Sequence, residues 1–164
     1  MRPQDLVVLL KLIIEEGKSW NQISLAKSLL LSQSEISESI KRSGYARLIL
    51  GDGKTVAKLA FVDLLYYGVP YMFPQQPGPV TRGIPTSHSA KPLVDQISSN
   101  ENYVWPYSKG NVRGHSILPL YNSVVFAAEL DSQLYEYLAL IDALRVGRAR
   151  ERNLALELLR TNLC

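Results

Sequence analysis

Only one cysteine, Cys164, occurs in the 164 residues of this chain. No disulfide can therefore close within it, and no thiolate metal cluster can form. Histidine is nearly as scarce, with His88 and His115 alone. Each falls in a Gly/Pro/Ser-rich segment with no His or Cys partner at ligand spacing, so neither a metal nor a cofactor is expected. Both histidines read as loop or surface residues. Ser87-His88-Ser89 sets hydroxyls beside an imidazole, but a catalytic triad draws its members from separate elements. The glycines at 51–53 and 110–114 lack a phosphate-loop pattern, and an enzyme is not expected. Long apolar runs are missing as well. Leu6–Ile14 is interrupted by Lys11 and followed by Glu15 and Glu16, which suits neither a signal peptide nor a membrane span. The expectation is a cytoplasmic protein without a membrane partner.

A strong excess of either charge is absent too. The net charge is +3, with 18 Lys/Arg against 15 Asp/Glu, and its distribution says more than its size. Residues 1–68 carry nine basic against seven acidic side chains, residues 69–116 four against two, and residues 117–164 five against six. The basic excess thus lies in the first two-thirds, on the side where a polyanion would be met. At 46% hydrophobic and 20% charged residues, the chain has the composition of a globular protein with a real core.

What the sequence does contain is concentrated between Lys18 and Leu50. Ser19 is followed three residues later by Gln22, and Ser32 by Glu35. Both pairs have capping-box spacing, in which a hydroxyl accepts the N3 amide and the longer side chain returns to the cap amide. After Ser19, Ile23, Ala26, Leu29 and Leu30 share a helical face; after Ser32, Ile36 and Ile40 lie one turn apart. This spacing predicts a helix-turn-helix. Turning Ile36 and Ile40 inward leaves Gln33, Ser34, Ser37, Glu38, Lys41 and Arg42 outside. The first turns of such a helix reach base edges in a major groove. Gln can bond adenine twice, Ser serves several bases, Glu38 can accept from a cytosine amino group, and Lys41 and Arg42 can reach phosphates. An αα-hairpin whose polar face meets only water has the same pattern.

The flanks fill in around this pair. Pro3 suits a first helical position, and Leu6, Leu9, Leu10, Ile13 and Ile14 recur at helical spacing until Gly17. Trp20 reads as a packing residue. Thr55–Tyr67 is apolar nearly all round and reads as a buried helix closed by Gly68. In residues 69–93 the prolines argue against helix, and Val69, Tyr71 and Phe73 alternate like a strand. Val80–Ile84 returns after a turn, carrying Arg82. A Pro-rich hairpin in this place would act as a wing, with Arg82 on the backbone or in the minor groove; a loop with Arg82 in an ion pair is the alternative. Further on, Tyr103–Pro106 reads as a strand and Lys109–Gly114 as a turn. Asn122–Leu130, a helix capped by Asp131 and ended by Gly147, and Ala149–Leu163 read as C-terminal helices. Arg145, Arg148, Arg150 and Arg152 either grip an anion or form a solvated face paired with Asp142 and Glu151.

The segment ISLAKSLLLSQSEISESIKR (Ile23–Arg42) resembles the helix-turn-helix of bacterial winged-helix, MarR-like transcriptional regulators, above all at Ala26 and Leu31-Ser32-Gln33-Ser34. Gly68–Leu93, Val104–Pro106 and Asp142–Leu159 resemble small bacterial proteins described as helix-turn-helix or MarR-like regulators. One departure is Glu38, where such helices usually carry a basic residue. The resemblance implies a mainly α fold with a small β wing. It places a winged helix-turn-helix DNA-binding domain in residues 1–93 and a helical region for dimerisation or partner binding in 94–164. The implied function is sequence-specific DNA binding as a homodimeric repressor that reads an operator in double-stranded DNA with the helix starting at Ser32. An antitoxin or accessory module gripping a toxin-like protein partner is the competing class.

Overall fold

The computed structural model describes residues 1–164. Helix α1 spans Pro3–Ile14, with Pro3 in its first turn and Asp5 accepting from the Arg2 amide at 2.7 Å. Its centre, Leu6–Leu10 and Leu12, is fully covered, so the helix is enclosed on all sides rather than along one stripe. Two charged residues are buried with it, and each is paired. Asp5 takes Arg42, and Lys11 takes Glu15 at 2.8 Å and Asp131 at 2.7 Å.

Helices α2 (Gln22–Leu29) and α3 (Gln33–Tyr45) follow. The start of α2 differs from the sequence expectation. Its cap is Asn21, which accepts from the Ser24 amide at 2.9 Å, while Ser24 Oγ accepts from the Asn21 amide at 3.1 Å. An Asn–Ser pair does the work expected of Ser19 and Gln22, because Asn caps as well as Ser. The Ser32–Glu35 box forms as the spacing requires, at 3.2 and 2.8 Å. Between the helices, Leu30 carries a left-handed φ of 54°. Arg47, with φ 59°, closes α3 as the Leu48 amide bonds the Ser43 carbonyl at 2.9 Å, a Schellman arrangement.

Helix α4 (Lys58–Asp63) runs through a π turn (Leu64–Gly68) into α5 (Val69–Met72). Here the expectation of a strand at Val69–Phe73 fails, as does that of a C-cap at Gly68. In the π turn the Val69 amide bonds the Leu64 carbonyl five residues back. The ladder is thus displaced where Pro70 has no donor to give, and the helix passes through a proline that would otherwise stop it.

Three strands close on one another: β1 (Val80–Pro85), β2 (Tyr103–Pro106) and β3 (Val112–Ser116). Strand β1 runs antiparallel to both others, pairing Ile84 with Trp105 on β2 and Thr81 with Gly114 on β3; β2 and β3 meet in parallel at Tyr103 and His115. Glycine makes the closure feasible. A Cβ on Gly83 would lie 1.9 Å from the Trp105 carbonyl oxygen, and one on Gly114 2.4 Å from that of Asn102. Lys109–Gly114 was expected as a turn, yet its second half is strand β3, because its glycines serve close strand approach.

This sheet overturns the expected winged helix-turn-helix layout. Val69–Met72 is helical, and β1 pairs with strands that follow it by about twenty (β2) and about thirty (β3) residues, not with a preceding arm of a hairpin. A division at residue 93 would separate β1 from both its partners. Helices α6 (Val124–Leu130), α7 (Ser132–Val146) and α8 (Ala149–Leu163) complete the chain. Asp131 caps α7 by accepting from the Leu134 amide at 3.1 Å. One apolar cluster runs from Leu6 on α1 to Leu163 on α8, with α7 buried through its middle. No helix is long and apolar enough to cross a membrane.

Candidate nucleic-acid interface

Helix α3 is held down by a face that the sequence pattern only half disclosed. Ile36 is fully buried, but Ile40 is only partly covered, and Ser39 and Ser43 take the rest of the inward side. Small side chains at these positions let α3 lie close against α1. The outward stripe is accordingly Ser34, Glu38, Lys41 and Tyr45, one turn apart. Gln33, Ser34, Glu38 and Lys41 are exposed and Ser37 is half-buried. Tyr45 is 95% exposed. It went unnoticed in the sequence, although its place four residues beyond Lys41 already put it on the same stripe.

The charges on this face are not equally free. Lys41 Nζ lies 2.8 Å from Glu38 Oε1, with both side chains largely in solvent. The hydrogen bond from Lys41 holds the Glu38 carboxyl below its ordinary value. An exposed pair of this kind adds little to stability because solvent screens it, so a phosphate can take Lys41 from Glu38 at little cost. Arg42 is a different matter. Its Nε and Nη2 donate to Asp5 Oδ2 and Oδ1 at 3.0 and 2.7 Å, and the Asp5 side chain has no exposure. Burial alone would raise the Asp5 carboxyl, but the bonds from Arg42 and from the Arg2 amide outweigh it and hold Asp5 below the aspartate range. Arg42 therefore clamps α3 to α1 through Nε and Nη2, with its side chain only partly exposed.

Arg82 is not gathered to this face. It sits exposed on β1, whose neighbours are β2 and β3, whereas α3 packs on α1 and α2. Past the end of α3, exposed Arg47 and Lys54 supply cations. Lys54 belongs to a tight turn in which Asp52 accepts from the Lys54 and Thr55 amides and the Thr55 hydroxyl, which lowers its carboxyl to about 2. Beside the C-terminal half of α3 runs an apolar groove of about 580 Å³, walled by Met1, Tyr45, Leu48, Leu64 and Met72.

The remaining sequence candidates lie elsewhere. His88 is 5% exposed rather than a surface residue, with Nε2 at 2.8 Å from the Glu101 carbonyl oxygen. That carbonyl accepts only, so the proton is on Nε2. Ser87 Oγ and His88 Nδ1 are both buried without a hydrogen-bond partner, hence not bonded to each other. Among the C-terminal arginines, Arg145 has a nearly covered side chain and bonds Asp142 at 2.8 Å and the Phe73 and Leu118 carbonyls at 2.9 and 3.0 Å. Asp142 also accepts from Trp105 Nε1 and Thr86 Oγ1, both at 2.7 Å. This buried junction joins α7 to the sheet and to the end of α5. Arg152 stands over the Tyr66 ring at 5.7 Å, whereas Arg148 and Arg150 are exposed. Comparison with protein families, curated proteins and solved structures gives no match.

Proposed function

We propose that this protein is a sequence-specific DNA-binding regulator of transcription that reads duplex DNA with the outward stripe of α3. The supporting observation is the exposed face of that helix, the stripe together with Gln33 beside it. Gln33, Ser34, Glu38, Lys41 and Tyr45 are open to solvent on a helix whose first turn is capped and whose opposite side is fixed to α1 by Ile36 and the Asp5–Arg42 bridge. Gln33, Ser34 and Ser37 are the base-facing set, with Lys41 on a phosphate. Tyr45 and Arg47 extend the contact along the backbone. One such helix makes a modest interface, and a homodimer reading paired half-sites supplies the affinity a single copy lacks.

The apolar groove beside α3 supports a second reading, in which the same surface grips a protein partner. Gel-shift titration with the DNA upstream of the protein's own gene, repeated over a salt series, separates the two. The regulator reading predicts a shift whose affinity falls steeply and log-linearly with salt. No shift at any salt concentration leaves the protein-partner reading alone.

A further inference from the structure

Strand β1 places Arg82 directly opposite Arg113 of β3. The Arg82 carbonyl accepts from the Tyr107 amide at 3.0 Å, on the β2 side. In a strand, a residue's N–H and C=O point the same way, so Arg82 and Arg113 form a non-hydrogen-bonded pair. That is the closer kind of facing pair, with Cα atoms about 4.5 Å apart. Like charges set opposite each other oppose sheet formation. Even so, both guanidiniums are exposed, and neither has a carboxylate within ion-pair distance or a hydrogen-bond acceptor in the chain. Glu101 lies 4.0 Å from His115, two residues along β3 from Arg113, and forms no ion pair with either arginine.

The surroundings add to the pair. The turn carrying exposed Lys109 folds over β1, where a Cβ on Gly110 would lie 2.2 Å from the Gly83 carbonyl oxygen. Tyr107 stands edge-on to Phe126 at 5.6 Å, and Phe126 is 45% exposed. Helix α6 connects this patch to the α2–α3 turn. Ser123 at its start donates to the Leu30 carbonyl at 3.3 Å, and Phe126 lies one turn further along.

We infer that Arg82 and Arg113 form a phosphate clamp, which grips the DNA backbone outside the segment read by α3. Two planar forks with no intramolecular partner suit a phosphodiester, whose paired oxygens accept bidentate bonds. The inference takes its ligand from the DNA reading; its geometry stands apart from α3. The register carries it, since Arg113 lies in the stretch 109–114 that sequence alone assigned to a turn.

The test is fluorescence anisotropy of a labelled DNA duplex with the intact chain, across a salt series. Wild type is compared with Arg82→Ala/Arg113→Ala, Arg82→Lys/Arg113→Lys and Lys41→Ala. The double alanine variant is expected to lose about tenfold in affinity at low salt and to reduce the slope of log K against log salt by about one to two. The double lysine variant keeps the slope but not the full affinity, because Lys lacks the fork. Relief of the facing charges leaves the melting temperature of the alanine variant unchanged or higher by about 1–2 °C, which separates the loss from misfolding. A slope equal to wild type overturns the clamp, even where Lys41→Ala lowers it and sustains the α3 reading. A slope lowered by the double alanine variant but not by Lys41→Ala sustains the clamp and removes α3. A wild-type chain without DNA affinity overturns both.

Discussion

Arg42 shows how a residue on a polar helix face is tied into the fold by a partner far off in sequence. It sits beside Lys41 on a polar helix, yet its guanidinium is spent on a carboxylate of no exposure 37 residues away. Removing one partner of such a pair strands the other, and Arg42 keeps partial exposure that softens the loss. Asp5→Ala is therefore expected to cost about 2–4 kcal/mol in urea unfolding, and Arg42→Ala a similar amount. The pH dependence has a definite sign. Asp5 is held below its ordinary value in the fold, so its contribution is fully present above the unfolded aspartate value and fades as pH falls through the folded one. Wild type should lose stability below about pH 4 more steeply than Asp5→Asn does. Parallel acid limbs would show that the bridge carries little weight. Nothing local in the sequence linked Asp5 to Arg42, because the pairing depends on how α1 crosses α3.

Among the elements, those governed by local rules were legible and those governed by distant contacts were not. The Ser32–Glu35 box, the Asp131 cap and the extent of α8 follow from neighbours in sequence. So does β2 at Tyr103–Pro106. The expected wing is absent because a π turn carries the helix past Pro70, a residue whose local rule is to stop one. Strand β3 was missed because Gly110 and Gly114 read as turn residues, although they sit where strands nearly touch. The candidate face fared likewise. Its exposed polar residues were readable from Ile36, whereas the buried Ser39 and Ser43, which set the stripe through Tyr45, were not. The closure of the strands gives a sharp expectation. Gly83→Ala would drive a methyl into the Trp105 carbonyl, 1.9 Å away, and a backbone atom cannot swing aside as a side chain does. A loss of about 3 kcal/mol or more is expected by denaturant titration. A loss below about 1 kcal/mol would mean that the strands do not close this tightly.

For the molecule as a whole, one apolar cluster joins the α1–α3 region to α7 and α8, and β1 is shared across the middle of the chain. Unfolding should therefore be a single transition, coincident by far-ultraviolet circular dichroism and by tryptophan fluorescence, since Trp20 and Trp105 lie in different parts of the fold. Two separated transitions would show that the N-terminal helices melt independently. On this common frame α3 presents its stripe as a rigid body, with the α2–α3 turn braced by Tyr121 on the Leu29 carbonyl at 2.9 Å.

The central claim is that this stripe reads DNA, and binding selections on randomised duplexes with Gln33→Ala and Lys41→Ala test it most directly. Lys41→Ala should weaken every sequence alike and reduce the salt slope by about one, while Gln33→Ala should cost about 1–3 kcal/mol on the preferred sequence and relax the choice at one base position. Wild-type affinity, slope and base preference in both variants would contradict the account.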